Sequence, residues 1–206
     1  MLKIWGRINS INVQKVLWAV AELDLPYERV DAGLHFGGVN EPWYRAMNPN
    51  GRVPVINDHG FVLWESNSIV RYLASKHGAG TLEPADLHTR ADAGRWMDWA
   101  SSTMNPLMTP LFWGLIRTAP ENRNAEALDE LRSKMEEVMA ILDAQLAQRA
   151  FVAGDNFTMG DIPVACFTQR WLALPMAHGV HPHVARWVAQ LEARPGFGAH
   201  VKMPLS

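Results

Sequence analysis

A chain of 206 residues with 48% hydrophobic residues is long enough for one large domain or two small ones and can bury a sizeable core. Its formal net charge of -2 and pI near 6.4 exclude a polybasic nucleic-acid surface, and its apolar content excludes an intrinsically disordered chain. The single cysteine, Cys166, excludes an intrachain disulfide framework and any Cys-x-x-Cys redox or zinc motif, and it suits a reducing compartment.

Leu2 to Trp5 is a short apolar run that predicts a strand, and Asn12 to Leu23 then places Val13, Val16, Leu17, Val20 and Leu23 at helical spacing. Tyr27 to Val30 predicts a second strand, so the first thirty or so residues form a β-α-β unit with parallel strands. Residues 33–51 are rich in Gly and polar residues and read as loop, with one helical turn around Trp43 to Met47. A strand opening at Val53-Pro54, a turn at Asp58-His59-Gly60 and a strand from Phe61 to Trp64 predict a β-hairpin. Ser66 is suited to cap a helix running to about His77, with Gly78 and Gly80 beyond its end.

After residue 85 no convincing strand remains. Ala85 to Ser102 is helix-forming, and Pro106 and Pro110 are expected to bend or interrupt the helical path beyond it. Ala125 to Gln148 is a long amphipathic helix, a capping box at Thr158 to Asp161 starts another that ends near Leu172, and Val184 to Leu191 gives one more. The change in pattern between Gly78 and Pro84 predicts two domains, residues 1–80 and 85–206. The start of the chain lacks an uninterrupted apolar core, so no secretory signal is expected, and a cytoplasmic location follows. The uncharged stretch from Trp99 to Ile116 carries too many polar residues and prolines to be a good membrane span.

Three places have residue types suited to chemistry. Val53, ahead of Pro54, has backbone groups available to a peptide-like ligand, although strands also simply tolerate Pro at their first residue. Glu65-Ser66 stands at a helix mouth, where unpaired N–H groups suit a carboxylate and the acid suits an ammonium; together they would hold an α-amino acid head, and the plainer reading is a Ser cap. Ser10 and Asn12, between the first strand and helix, fit either a cap or a donor to an anion such as a thiolate. The cluster His178, His181 and His183 reads as a loop before a helix, and no metal is assigned to it. Gly33, Gly37 and Gly38 lack dinucleotide-binding spacing. Asp98 fits a solvated or capping charge.

The tract Ser10-Ile11-Asn12-Val13-Gln14-Lys15-Val16, the segment Asn48 to Val55, the pair Glu65-Ser66 and the cap from Thr158 to Asp161 together resemble the cytosolic glutathione transferases, in particular bacterial theta-like and nu-like members. The resemblance implies an α/β thioredoxin-like N-terminal domain (βαβ-ββα), an all-α C-terminal helical domain, a cis Val53-Pro54 bond and a homodimer. It also implies glutathione as co-substrate with no further cofactor. Glu65 and Ser66 match the γ-glutamyl site, Val53 the residue that pairs with the cysteinyl unit, and Arg52 and Asn40 the neighbourhood of the glycine carboxylate. Ser10 and Asn12 match the thiolate partners. The expected reaction is attack of the glutathione thiolate on a small apolar electrophile, as in detoxification. Reduction of disulfides or peroxides, or non-catalytic glutathione binding, are the alternatives.

One compositional excess has a place in this scheme. The chain has nine Trp and ten Met, and Trp96, Met97, Trp99, Met104, Met108 and Trp113 crowd into one short segment just after the predicted boundary. Met104, Met108, Phe112 and Trp113 are expected to line the electrophile pocket, and Trp96 and Trp99 to belong either there or to a core or subunit contact.

Overall fold

The structure is a computed structural model that describes residues 1–206. Strand β1 (Leu2–Trp5) lies between β2 (Tyr27–Val30), which it pairs in parallel, and β3 (Val55–Asp58), which runs antiparallel and continues into β4 (Phe61–Trp64). The sheet order is therefore β2-β1-β3-β4. The β3–β4 connection is the expected tight turn, His59 and Gly60 both having positive φ, as a two-residue hairpin of this twist requires. Strand β3 starts at Val55 rather than Val53, because the Val53-Pro54 peptide is cis and turns the chain before it joins the ladder.

Helices α1 (Ile11–Glu22) and α3 (Ser66–His77) cover one face of the sheet, and the short α2 (Pro42–Met47) contacts β4. Leu2, Ile4, Val13, Val16, Leu17, Ile56, Ile69 and Leu73 fill the space between the sheet and these two covering helices. On the other face Tyr44 and Val55 pack with Ala32, Trp5 and Trp64. Alternation along the strands accounts for both fillings, since successive side chains leave opposite faces.

The rest of the chain is helical: α4 (Leu87–Trp99), α5 (Asn105–Phe112), α6 (Ala125–Leu146), α7 (Asp161–Leu172), α8 (Pro182–Glu192) and α9 (Pro195–His200). Pro106 and Pro110 do not break the path. Instead wide, π-type turns at Ala100–Met104 and Trp113–Arg117 flank α5, which fits the removal of donors by the prolines. Helix α9, unforeseen because Gly196 and Gly198 disfavour helix, is held by tertiary contact. A Cβ on Gly196 would lie 2.6 Å from Trp18 Cδ1, so only glycine lets α9 approach α1 so closely.

Helix α1 belongs to two cores. Val13, Val16 and Val20 face the sheet, whereas Trp18 and Ala19 join a cluster of 35 buried residues formed mainly by the later helices. Trp18 packs at a tilt on Phe157 and edge to face on Phe197, with centroids 5.3 and 5.2 Å away, and its indole N–H donates to Glu22, itself paired with Arg194. The start of α7 carries the other notable buried group. The Asp161 carboxylate accepts from Val152 N–H at 3.0 Å, Thr158 N–H at 2.9 Å and Trp187 Nε1–H at 3.1 Å. Thr158 does not take the helix-capping place itself; Gly160 does, and Thr158 Oγ1 accepts from its N–H.

Candidate active site

The N-terminal ends of α1 and α3 and the loop before β3 converge on a cleft of about 430 Å³ lined by Arg7, Ser10, Asn12, Arg52, Val53, Glu65 and Ser66, among others. A second cleft, of about 260 Å³, shares Arg7, Ser10, Asn12, Leu34 and Arg52 with the first and continues to Met108, Phe112, Trp113, Arg117, Phe167 and Arg170. The two therefore meet at the start of α1. The largest groove on the molecule, about 720 Å³ near Asp86 and Asp155, shares no residue with either.

Ser10 occupies the position before the first turn of α1, and its side chain makes no capping bond. The capping explanation for Ser10 is thus not realised, and the hydroxyl is left facing both clefts. Asn12 is held in one orientation. Its Oδ1 accepts from Lys15 Nζ at 3.0 Å and from Ser66 Oγ at 3.3 Å. An ammonium only donates, so the atom facing Lys15 is the oxygen and the amide nitrogen must turn the other way. Asn12 Nδ2 has no partner within the protein and is a free donor where the clefts join.

Lys15, three residues along α1 from Asn12, is the residue the sequence did not single out. It is 2% exposed and lies over the Phe167 ring at 4.5 Å from the centroid. Burial pushes its ammonium down to about 8, Arg170 adds to the effect, and Glu65 opposes it. Its spacing to Asn12 was visible in the sequence, because residues three apart on a helix are neighbours. The nearby Cys166 is buried and its thiol is pushed up to about 12 by desolvation, as suits a small core side chain rather than a nucleophile.

Glu65, not Ser66, holds the capping position of α3, with φ = 73°. For a residue other than glycine that region costs on the order of 1 kcal/mol or more, and such strain concentrates at functional sites. It leaves the Glu65 side chain exposed and the 6%-exposed Ser66 at the helix mouth. The next residue, Asn67, donates to the Met97 carbonyl and to Ser101 Oγ, tying this mouth to α4 and the turn after it.

Val53 has neither its N–H nor its C=O hydrogen-bonded within the protein. Its neighbour is braced: the Arg52 carbonyl accepts from Tyr44 Oη at 2.9 Å and from Asn48 Nδ2 at 2.8 Å. Asn48 in turn accepts from Asn50 N–H, which explains why the segment needs its asparagines. Asn40 is not brought to the cleft; its Oδ1 accepts from Arg45. Met104 is fully buried in the helical core, whereas Met108, Phe112 and Trp113 line the second cleft. Trp96 and Trp99 pack edge to face, 4.9 Å apart, and border a separate surface groove with Ile141. Asp98 forms an ion pair with Arg71. His181 pairs with Glu136, and no three His, Cys, Asp or Glu side chains gather where a metal ion would need them.

The family model for the glutathione S-transferase N-terminal domain matches residues 1–75, and that for the C-terminal domain residues 103–195. The chain belongs to the glutathione S-transferase family. Glutathione S-transferase GstB of Escherichia coli is 41% identical to it over 208 residues, covering 100% of both chains. Glutathione S-transferase 3 of Zea mays is 34% identical, covering 95% of this chain and 91% of its own. Among solved structures, a theta class glutathione S-transferase from Xanthomonas axonopodis pv. citri, with glutathione bound, superposes with a TM-score of 0.96 at 41% identity, covering 100% of this chain and 99% of that one.

Proposed function

We propose that the first cleft binds glutathione and that Ser10 and Asn12 stabilise its thiolate for attack on an electrophile held in the second. The protein is a glutathione S-transferase, built of domains 1–80 and 85–206. The single observation that carries the site reading is the pair of unused donors, Ser10 Oγ and Asn12 Nδ2, at the N-terminus of α1 where the clefts meet. Both donors and the helix end favour the anionic form of a thiol over the neutral one. The α3 mouth at Ser66 takes the γ-glutamyl carboxylate, and Glu65 takes the ammonium beside it. The free main chain of Val53 pairs with the cysteinyl unit, and Arg52 receives the glycine carboxylate.

The thiol proton leaves to solvent, the sulfur forms a bond to the electrophilic carbon, and the leaving group departs with its electron pair. Met108, Phe112 and Trp113 form the wall that holds the electrophile's apolar part. The resemblance to this family carries the homodimer, and the groove bordered by Trp96, Trp99 and the 54%-exposed Ile141 is an apolar surface suited to it. No helix is long and apolar enough to cross a membrane; the reading places the enzyme in the cytoplasm, acting in detoxification.

Titration calorimetry with glutathione, followed by thiol-conjugation and disulfide-reduction assays on the same preparation, tests this reading. Saturable binding with conjugation above the uncatalysed rate is expected. Binding with disulfide reduction alone would reassign the reaction, and no binding at millimolar glutathione would defeat the proposal.

A further inference from the structure

The second cleft differs from a plain apolar pocket in its charge. Four arginines, Arg7, Arg52, Arg117 and Arg170, line it, and no aspartate or glutamate does. None of the four forms an ion pair with an acidic side chain, in a protein whose net charge is -2. Arg52 is accounted for by the glycine carboxylate and Arg7 also lines the glutathione cleft, but Arg117 and Arg170 belong to the second cleft and not the first.

Those two are also the ones held in place. Both guanidinium groups lie against Phe112, at 4.5 Å for Arg170 and 4.9 Å for Arg117, and Arg117 also covers Trp113 at 4.6 Å. Arg170 reaches the Asn9 carbonyl at 3.4 Å, and Arg117 reaches the main-chain oxygen of Ser206, the last residue described, at 3.0 Å. These single bonds fix each plane while most of its N–H groups stay unused. Desolvation disfavours the charge on all three of Arg7, Arg117 and Arg170, and repulsion adds to it at Arg7, from Arg117, and at Arg170, from Arg117 and Arg7, with the Cys166 sulfur opposing it at Arg170. Half-buried cations with no acidic side chain beside them favour an anion in the cleft they line.

We propose that Arg117 and Arg170 form an anion subsite for the second substrate, so that the enzyme conjugates electrophiles carrying a carboxylate on an aromatic or other apolar body. Planar guanidinium groups match a carboxylate in geometry, and the aromatic faces beneath them accept the ring or chain that bears it. The substrate's anion lies at the arginine end of the cleft and its reacting carbon at the Ser10 end, toward the sulfur. This narrows the electrophile of the proposed function to apolar bodies that carry a carboxylate, and it rests on the transferase reading above.

A matched pair of acceptors tests it: a chlorodinitrobenzoate with chlorine para to the carboxylate, and the corresponding benzamide. In each the glutathione sulfur adds at the chlorine-bearing carbon, and chloride then leaves with the carbon–chlorine electron pair. Each rate is divided by the uncatalysed rate with glutathione, which removes the intrinsic difference between the two rings. The expected result is a preference for the benzoate of roughly tenfold or more in kcat/KM, weakened by added salt and lost in Arg117→Gln. The KM for glutathione should stay unchanged in that variant, and Arg170→Lys should retain part of the preference. Equal normalised rates for benzoate and benzamide on the wild-type enzyme would overturn the inference while leaving the transferase reading intact. A loss in Arg117→Gln that falls equally on both acceptors, or on glutathione, would overturn it too. Conjugation of neither acceptor, with no glutathione binding, would remove the transferase reading and this inference together.

Discussion

Two buried polar networks, one at the start of α7 and one at the start of α1, have opposite states of completion. At α7 the Asp161 carboxylate is fully buried and receives three N–H donors, so each of those donors has its partner. At α1 the Lys15–Asn12–Ser66 network is satisfied on its inner side and ends, on the cleft side, in donors that have no acceptor within the protein. A closed network holds the fold together, and an open one waits for a ligand. The contrast separates structure from function without reference to any relative.

The largest effect that would sharpen this contrast belongs to the closed network. Asp161→Ala leaves buried N–H groups of Val152, Thr158 and Trp187 without an acceptor, and should cost about 3 to 5 kcal/mol in urea unfolding. The rate per folded molecule should not change; a cost under about 1 kcal/mol would dissolve the distinction. Desolvation raises Asp161 to about 6 in the folded state, above its ordinary carboxylate value. Its contribution to stability is therefore complete below that ordinary value and declines as pH rises through 6.

The open network should behave the other way. Ser10→Ala and Asn12→Ala are each expected to lower kcat/KM for conjugation by about 100-fold, as the loss of one preorganised donor to an anion does elsewhere. Their unfolding midpoints should move little, and unchanged rates in both variants would place the thiolate elsewhere.

Lys15→Met comes next, with a loss of about tenfold at neutral pH through misorientation of Asn12. In the wild type kcat/KM should rise with thiol ionisation and then break near pH 8 as Lys15 deprotonates, and the break should vanish in the variant. Between about 8 and the ordinary lysine value the unfolded chain holds a proton that the folded chain has released, so charged Lys15 costs stability at neutrality and the cost is relieved as pH rises through that window. Lys15→Met should accordingly melt no lower than the wild type. A lower melting point with an unaltered pH profile would make Lys15 a structural residue and end its positioning role.

The smallest effect is expected at Asn40, whose bond to Arg45 only supports an exposed loop. Asn40→Ala should change the KM for glutathione less than about twofold and stability by less than about 0.5 kcal/mol. A larger rise in KM would bring Asn40 back to the glycine carboxylate.

Distance along the chain decided which features were legible in the sequence and which were hidden. Ser10 with Asn12, Val53 with Pro54 and Glu65 with Ser66 are each local signals, readable as a loop or helix start, and their order made the α/β plan and the proposed glutathione cleft legible. Arg7, Arg117 and Arg170 are far apart, and only the packing of α7 against α1 and α5 brings them to one cleft. Lys15 was hidden for a different reason: a lysine between apolar positions on a helix ordinarily points to solvent. Met104 shares an every-fourth-residue stripe with Met108 and Phe112, but neighbouring helices decide which part of the stripe reaches the cleft. The start of β3 was displaced by two residues because a cis bond leaves no mark in an apolar run.

Helix α1 carries the proposed thiolate donors at its tip while one flank is glued to the sheet and the other to the helices beyond residue 85. Catalysis thereby becomes a gauge of registration between the two halves of the chain. Mild denaturant that lets α7 and α9 drift from α1 should silence turnover while circular dichroism still reports a full complement of helix. In refolding, activity should return last, after both hydrophobic clusters have set and locked this shared helix between them.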